Sequence, residues 1–227
     1  MVENRNVMRR DLLKIAAAFA AMGAMSPVKL AVAQSSLRRT PDQILGPFYP
    51  AMKAADLSGD LTRVPGRTGR AEGQVLNVMG RVLNIKGEPV SGAKLEVWQA
   101  NSHGRYTHPA DGNPAPLDPN FEGFAVLKTN VDGQYKFKTI KPGAYPLGSF
   151  APGVIRPPHI HLRLVGQEDE LATQMYFEGE PLNEKDRWLQ SSLPGTVDLL
   201  IAKVLPPPPD LEPNSQLVIF DIVTLRG

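Results

Sequence analysis

The chain contains no cysteine. That excludes disulfides, thiolate metal sites, a cysteine nucleophile and a lipid anchor on cysteine. Histidine is scarce, with four in 227 residues, and tryptophan occurs twice. Neither Gly-x-Gly-x-x-Gly nor a Walker pattern occurs, so the common phosphate-cradling loops are missing. Internal repeats, heptads and charge blocks are also absent, which excludes solenoid and coiled-coil organisation. The apolar stretch from Ile15 to Met25 is eleven residues long, too short to cross a bilayer as a helix.

What is abundant is proline, with 22 residues, and glycine, with 20. With 42% hydrophobic residues, this favours one packed, loop-rich, all-β body over a helical bundle. The N-terminus reads differently. Arg9-Arg10-Asp11-Leu12-Leu13 precedes the apolar stretch, and Ala31-Val32-Ala33 follows it. A charged region, an apolar region and an A-x-A site make a signal peptide over residues 1–33, and the paired arginines point to twin-arginine export to the periplasm. An ordinary secretory signal and an amphipathic helix are the alternatives. Cleavage would remove five basic and two acidic residues, turning 25 against 23 into 20 against 21. A near-neutral mature chain carries no electrostatic footprint for nucleic acid or an anionic membrane.

Residues 34–72 form a turn-rich N-terminal segment. Thr40-Pro41-Asp42-Gln43 predicts a short helix, with Thr40 as N-cap and Pro41 in the first turn. The body spans residues 73–227. Strands are expected at Val75–Ile85, Ala93–Gln99, Phe124–Thr129, Gln134–Ile140, His159–Val165, Thr173–Phe177 and Gln216–Thr224. Asn130-Val131-Asp132-Gly133 signals a hairpin between the third and fourth of these. Asp198–Val204 reads as a short amphipathic helix. Short strands between Gly/Pro turns predict a β-sandwich with Greek-key-like connections. The long loops Asn101–Glu122 and Lys141–Pro158 read as walls of a site.

His159 and His161 flank Ile160 in a strand pattern, so both side chains leave the same face. Two imidazoles projecting together suit a metal, although an H-x-H pair alone is also compatible with packed strand histidines. Tyr106 and Tyr145 lie in the two long loops. Two phenolates and two imidazoles make an O/N donor set suited to high-valent iron more than to a thiol-loving metal. A trivalent cation lowers a phenol's pKa enough for it to ligate.

From about Gly80 to the C-terminus the chain resembles the intradiol ring-cleavage dioxygenases, notably the iron-bearing β subunit of protocatechuate 3,4-dioxygenase. The resemblance is carried by Val97-Trp98-Gln99-Ala100-Asn101, Gly104-Arg105-Tyr106, Leu117-Asp118-Pro119-Asn120-Phe121 and Thr139-Ile140-Lys141-Pro142-Gly143. It continues through Arg156-Pro157-Pro158-His159-Ile160-His161, Gln174-Met175-Tyr176-Phe177-Glu178-Gly179 and Phe220-Asp221-Ile222-Val223. It implies one non-haem Fe(III) held by Tyr106, Tyr145, His159 and His161, with Tyr145 released when substrate binds. Arg156 would stabilise charge on the activated ring, and Gln174 would place and polarise the substrate. Gly46-Pro47-Phe48-Tyr49 resembles a segment beside the family's substrate pocket, which puts Tyr49 there. Leu147 stands where the protocatechuate enzymes carry a pocket tryptophan. The implied reaction opens a catechol-type ring with O2 between its hydroxyl-bearing carbons. The implied assembly is a homo-oligomer or a hetero-oligomer with an α-type subunit. The competing reading is an exported transthyretin-like binding module, since Gly80-Arg81-Val82 and Gly87-Glu88-Pro89-Val90 also fit such sandwiches.

Overall fold

Alternation along each strand decides which side chains fill the core and which are left for chemistry. On the strand His159–Val165, Ile160, Leu162 and Leu164 point inward and are buried, while His159, His161 and Arg163 share the opposite face. The computed structural model describes residues 36–50, 59–166 and 168–226. The leader expected over residues 1–33 lies outside the described residues.

Eleven strands follow in chain order among the described residues: β1 (Val75–Asn84), β2 (Lys94–Trp98), β3 (Phe124–Lys128), β4 (Gln134–Ile140), β5 (Tyr145–Pro146), β6 (Ile155–Arg156), β7 (His159–Val165), β8 (Glu170–Phe177), β9 (Ile201–Leu205), β10 (Gln216–Ile219) and β11 (Ile222–Thr224). The strand path is β11-β1-β10-β9-β8-β7-β2-β3, with β4 on the other side of β1 and β5-β6 forming a separate ribbon. β9 runs parallel to β8 at Tyr176 and Phe177, then antiparallel to β10, so it joins the two layers of the sandwich. Between the layers lie Leu76 and Val78 of β1, Leu95 and Val97 of β2, the inward side chains of β7, Leu171 and Met175 of β8, and Val218 of β10.

Several local expectations change. The helix expected at Thr40-Pro41-Asp42-Gln43 does not form; this segment runs as irregular backbone. Thr40 and Gln43 donate their N–H groups to Val223 and Ala172, and Thr40 Oγ1 accepts from Val223 N at 2.8 Å. The capping oxygen thus satisfies a strand rather than a helix terminus. Asp198–Val204 is a 3-10 turn at Val197–Leu200 followed by β9, as β-branched Ile201 and Val204 favour. The Asn130–Gly133 turn closes with Gly133 N donating to Asn130 O, yet β3 pairs with β2 and β4 with β1. The turn therefore passes the chain between layers and is not a hairpin ladder. Gln216–Thr224 breaks at Phe220-Asp221 into β10 and β11, which follow one another along β1 in parallel.

Candidate active site

The floor of the site is the outer face of β2, β7 and β8. Register sets Trp98 opposite His161, His161 opposite Gln174, and His159 opposite Tyr176. The rings of His159 and His161 have centroids 4.7 Å apart, and their Nε2 atoms face each other at 3.2 Å. His159 Nδ1 donates to the Pro157 carbonyl at 2.7 Å, which leaves its Nε2 lone pair turned into the site.

Tyr106 and Tyr145 come from two loops that are pressed together. Gly104 has φ +78°, and a Cβ there would stand 2.1 Å from the Ala144 carbonyl oxygen. Only glycine allows this approach. It brings the two tyrosine rings to a centroid distance of 5.1 Å, nearly perpendicular. Asp111 Oδ2 accepts from Tyr106 N at 2.7 Å, and Asn101 Oδ1 accepts from the N–H groups of His103 and Arg105. The loop is therefore held by its own polar side chains. Tyr145 sits on the β5-β6 ribbon opposite Arg156, with its Oη 3.4 Å from His159 Nε2.

Arg156 is buried beside the histidines. Its Nε donates to Asp186 Oδ2 at 2.5 Å, and its Nη2 donates to Gln174 Oε1 and Tyr176 Oη, each at 2.8 Å. Gln174 Nε2 donates to Ile44 O at 2.7 Å. The Gln174 amide thus holds Arg156, Tyr176 and the N-terminal strap. Leu147 is buried in an apolar cluster with Phe48, Trp98, Tyr106 and Tyr145. It lines a cavity of about 320 Å³ with Phe48, Asp111, Pro146 and Phe150. Tyr49 stands further out, its hydroxyl donating to Glu96 Oε2 at 2.5 Å and its ring edge against Trp98. A larger cavity, about 700 Å³, lies at Met79, Leu127, Tyr135 and Ile219 and includes none of these groups.

Burial, and then Arg156, hold both imidazoles well below the usual histidine range, so they are neutral. Burial pushes the Tyr106 hydroxyl well up, and the nearby Tyr145 adds to this. Burial also raises Tyr145, with Arg156 opposing. Burial works against the Arg156 charge, but Tyr176, Tyr145 and Asp186 outweigh it.

Sequence reasoning named the two tyrosines, the two histidines, Arg156 and Gln174, and the fold brings all six together. It missed Asp186, Tyr176 as a partner of Arg156, and Trp188, whose ring lies 4.5 Å from the Arg156 guanidinium carbon. Tryptophan's rarity was the available signal, since both tryptophans lie at this site. Of the remaining histidines, His103 pairs with Glu72, while His108 accepts the Ala110 N–H at Nδ1 and lies 5.9 Å from the Phe48 ring, beside the tyrosine loop.

The Dioxygenase family model matches residues 44–225. The chain belongs to the intradiol ring-cleavage dioxygenases. It is 45% identical to the protocatechuate 3,4-dioxygenase beta chain of Burkholderia cepacia over 159 residues, 69% of this chain and 67% of the relative. It is 34% identical to catechol 1,2-dioxygenase 1 of Acinetobacter lwoffii over 154 residues, 63% of this chain and only 48% of that longer relative. Among solved structures it resembles the dioxygenase domain of a dioxygenase carbohydrate-binding protein fusion from Streptomyces sp. SirexAA-E. There the TM-score is 0.60 and the identity 28%, covering 84% of this chain and 100% of that one. Intradiol dioxygenases open a catechol-type ring between its hydroxyl-bearing carbons with iron and O2. Membership decides against a binding module without catalysis.

The donor atoms suit an iron(III) ion. Tyr106 Oη is buried without a hydrogen-bond partner. Buried polar atoms are seldom left so. The two facing Nε2 atoms are neutral, and the His159 tautomer is set by a backbone carbonyl, as metal-bound histidines commonly are. Among the described residues no group of three or more His, Asp and Glu side chains offers another such site.

Proposed function

We propose that Tyr106, Tyr145, His159 and His161 hold one non-haem Fe(III), and that the substrate is protocatechuate or a substituted catechol. The observation that carries this is the convergence of two buried phenols and two neutral imidazoles, with Tyr106 Oη unspent. The ion, when bound, supplies Lewis-acid activation of a catechol toward O2.

The chain's own groups do the rest. Burial raises both phenols, Tyr106 the more strongly, and Arg156 opposes the rise at each. Tyr145, as the phenolate released when substrate binds, would accept a proton from a catechol hydroxyl as general base; it stands opposite Arg156 on the β5-β6 ribbon. Arg156 presents fixed positive charge beside the reacting ring, where charge develops. Gln174 holds Arg156 through its Oε1, and the second N–H of its Nε2 is free to place and polarise the substrate. Phe48 and Leu147 wall off water, and Leu147 together with Phe48 and Phe150 shapes the space for ring substituents. Tyr49 supports that wall through Trp98.

We also propose an oligomer, either of this chain alone or with an α-type subunit, which the likeness to a relative named a beta chain supports. Twin-arginine export with cleavage near Ala33 rests on the paired arginines and the A-x-A site; the mass of protein recovered from the periplasm tests it.

The deciding experiment is a visible spectrum of iron-loaded protein beside Tyr145→Phe, with oxygen uptake on a panel of catechols. A broad phenolate-to-iron absorption, altered in the variant, together with one O2 consumed per ring opened, supports the assignment. A colourless protein at full iron occupancy overturns it.

A further inference from the structure

Arg156 and Asp186 are thirty residues apart in sequence, yet each side chain is only 1% exposed and their closest contact is 2.5 Å. Asp186 Oδ1 also accepts from Leu189 N at 2.8 Å, which caps the short helix α1 (Arg187–Gln190). That helix carries Trp188, whose ring faces the guanidinium carbon at 4.5 Å and packs on the cluster around Tyr145 and Leu147. One carboxylate therefore orients the guanidinium from its Nε edge and sets the aromatic group that covers its face. Gln174 and Tyr176 take Nη2. Nη1 is left as the guanidinium nitrogen with no hydrogen bond to any described residue.

We propose that Asp186 is a positioning residue for the ring-opening reaction: it locks Arg156 and Trp188 into one unit and reserves Arg156 Nη1 for the bound catechol. The inference rests on the catalytic reading above. Its physical basis is that a lone arginine between apolar rings can swing among rotamers, whereas an arginine held at Nε and Nη2 has one orientation left. A charge aimed at the wrong place by about 1 Å costs on the order of 100-fold in rate. A buried pair of this kind contributes little net stability when it is intact, which leaves orientation of the guanidinium as its main effect.

The test compares iron-loaded wild type, Asp186→Asn, Arg156→Gln and the double variant. Asparagine keeps a side-chain oxygen for the Leu189 cap but loses the charge that fixes Arg156. Oxygen uptake gives kcat and KM, and anaerobic titration with 4-methylcatechol, read as the change in visible absorption, gives binding without turnover. Asp186→Asn is expected to lower kcat by roughly 10- to 100-fold with KM moved less than about threefold. The iron-phenolate absorption of resting protein should stay unchanged. In the Arg156→Gln background, Asp186→Asn should add less than about twofold to the loss in either readout, because a residue acting through Arg156 has nothing left to act on.

Equal kcat in wild type and Asp186→Asn overturns the proposal. So does an effect of Asp186→Asn that persists in full without Arg156, since that is the mark of a purely structural acid. If Asp186→Asn does not fold alone, Asp186→Glu, which keeps the charge but displaces it by one methylene, takes its place in the same cycle with the same expected fall in kcat, and wild-type kcat in that variant overturns the proposal. A wild type that turns over no catechol sinks the catalytic reading itself, a result distinct from either.

Discussion

The imidazole of His161 lies flat on the indole of Trp98, with ring centroids 4.8 Å apart and planes 10° apart. Both residues are almost fully buried, and the register of β2 against β7 sets them side by side. The indole Nε1 has no hydrogen-bond partner, so Trp98 is there for its ring face. Trp98→Phe should then be mild for the fold, within about 1–2 kcal/mol, because the smaller ring's lost contacts are partly offset by removing an unpaired N–H. Trp98→Ala should cost about 3–5 kcal/mol. The phenylalanine variant should bind iron roughly 10-fold more weakly, as His161 loses the surface that fixes its ring. Urea unfolding and competition with an iron chelator measure the two effects separately. Unchanged iron affinity in Trp98→Phe would mean the strand alone orients His161.

Gly104 is where the two tyrosine loops meet. An alanine there takes on an unfavourable positive φ and a clash with the Ala144 carbonyl. The backbone penalty alone is about 1–2 kcal/mol, and the clash must add to it by moving the loops apart. Gly66 has a similar φ of +80° but nothing within 4 Å of its added Cβ. Gly104→Ala should therefore destabilise the protein by more than Gly66→Ala, and only Gly104→Ala should alter the visible absorption of iron-loaded protein. Equal effects in the two variants would show that the close approach is dispensable.

Gln174 makes a third case. Gln174→Leu keeps the volume but strands the Ile44 carbonyl and removes an acceptor from Arg156 and from Tyr176. Leaving buried partners unpaired costs about 1–3 kcal/mol each. A total loss of roughly 2–4 kcal/mol in denaturant unfolding is expected, together with a fall in kcat larger than any rise in KM. A change confined to KM would limit the amide to placing the substrate.

What could be read from the sequence follows physical range. His159 and His161 were legible because period 2 is a local rule, and Ile160 between them marks the inward face. Tyr106 and Tyr145 were legible only as members of a recurring set of motifs, since no local rule brings two loops together. The Arg156–Asp186 pair spans thirty residues and two unrelated elements, and the one signal near Asp186 is the rare Trp188. The Thr40 oxygen has the sequence context of a helix cap and serves a strand N–H instead, because the competing partner, Val223, is 183 residues away. The turn at Asn130–Gly133 was correctly placed, but which strands pair across it is settled by β1 and β2, not by the turn.

The depressed pKa values of His159 and His161 make metal-free protein acid-sensitive in a defined way. Burial is the main cause, Arg156 the next, and His159 is further lowered by His161. In the unfolded chain both rings take up protons as pH falls through about 6.5. In the folded chain they resist, so below that pH the unfolded state binds more protons and gains free energy relative to the fold. The stability from these two residues is complete above about pH 6.5 and is lost as pH drops, by up to about 1.4 kcal/mol per pH unit for each ring, until the folded-state values are reached. Urea midpoints of the metal-free protein should therefore fall between pH 7 and pH 5. Replacing both residues by glutamine should flatten that slope, whatever it does to absolute stability. Glu212, held at about 2 by Arg70 and Lys138, loses its contribution only at lower pH, and Glu122, raised by burial, acts in the opposite sense to the histidines. A wild-type midpoint that stays level from pH 7 to 5 would mean the imidazoles are hydrated in the absence of metal, and that the site is open rather than closed before iron binds.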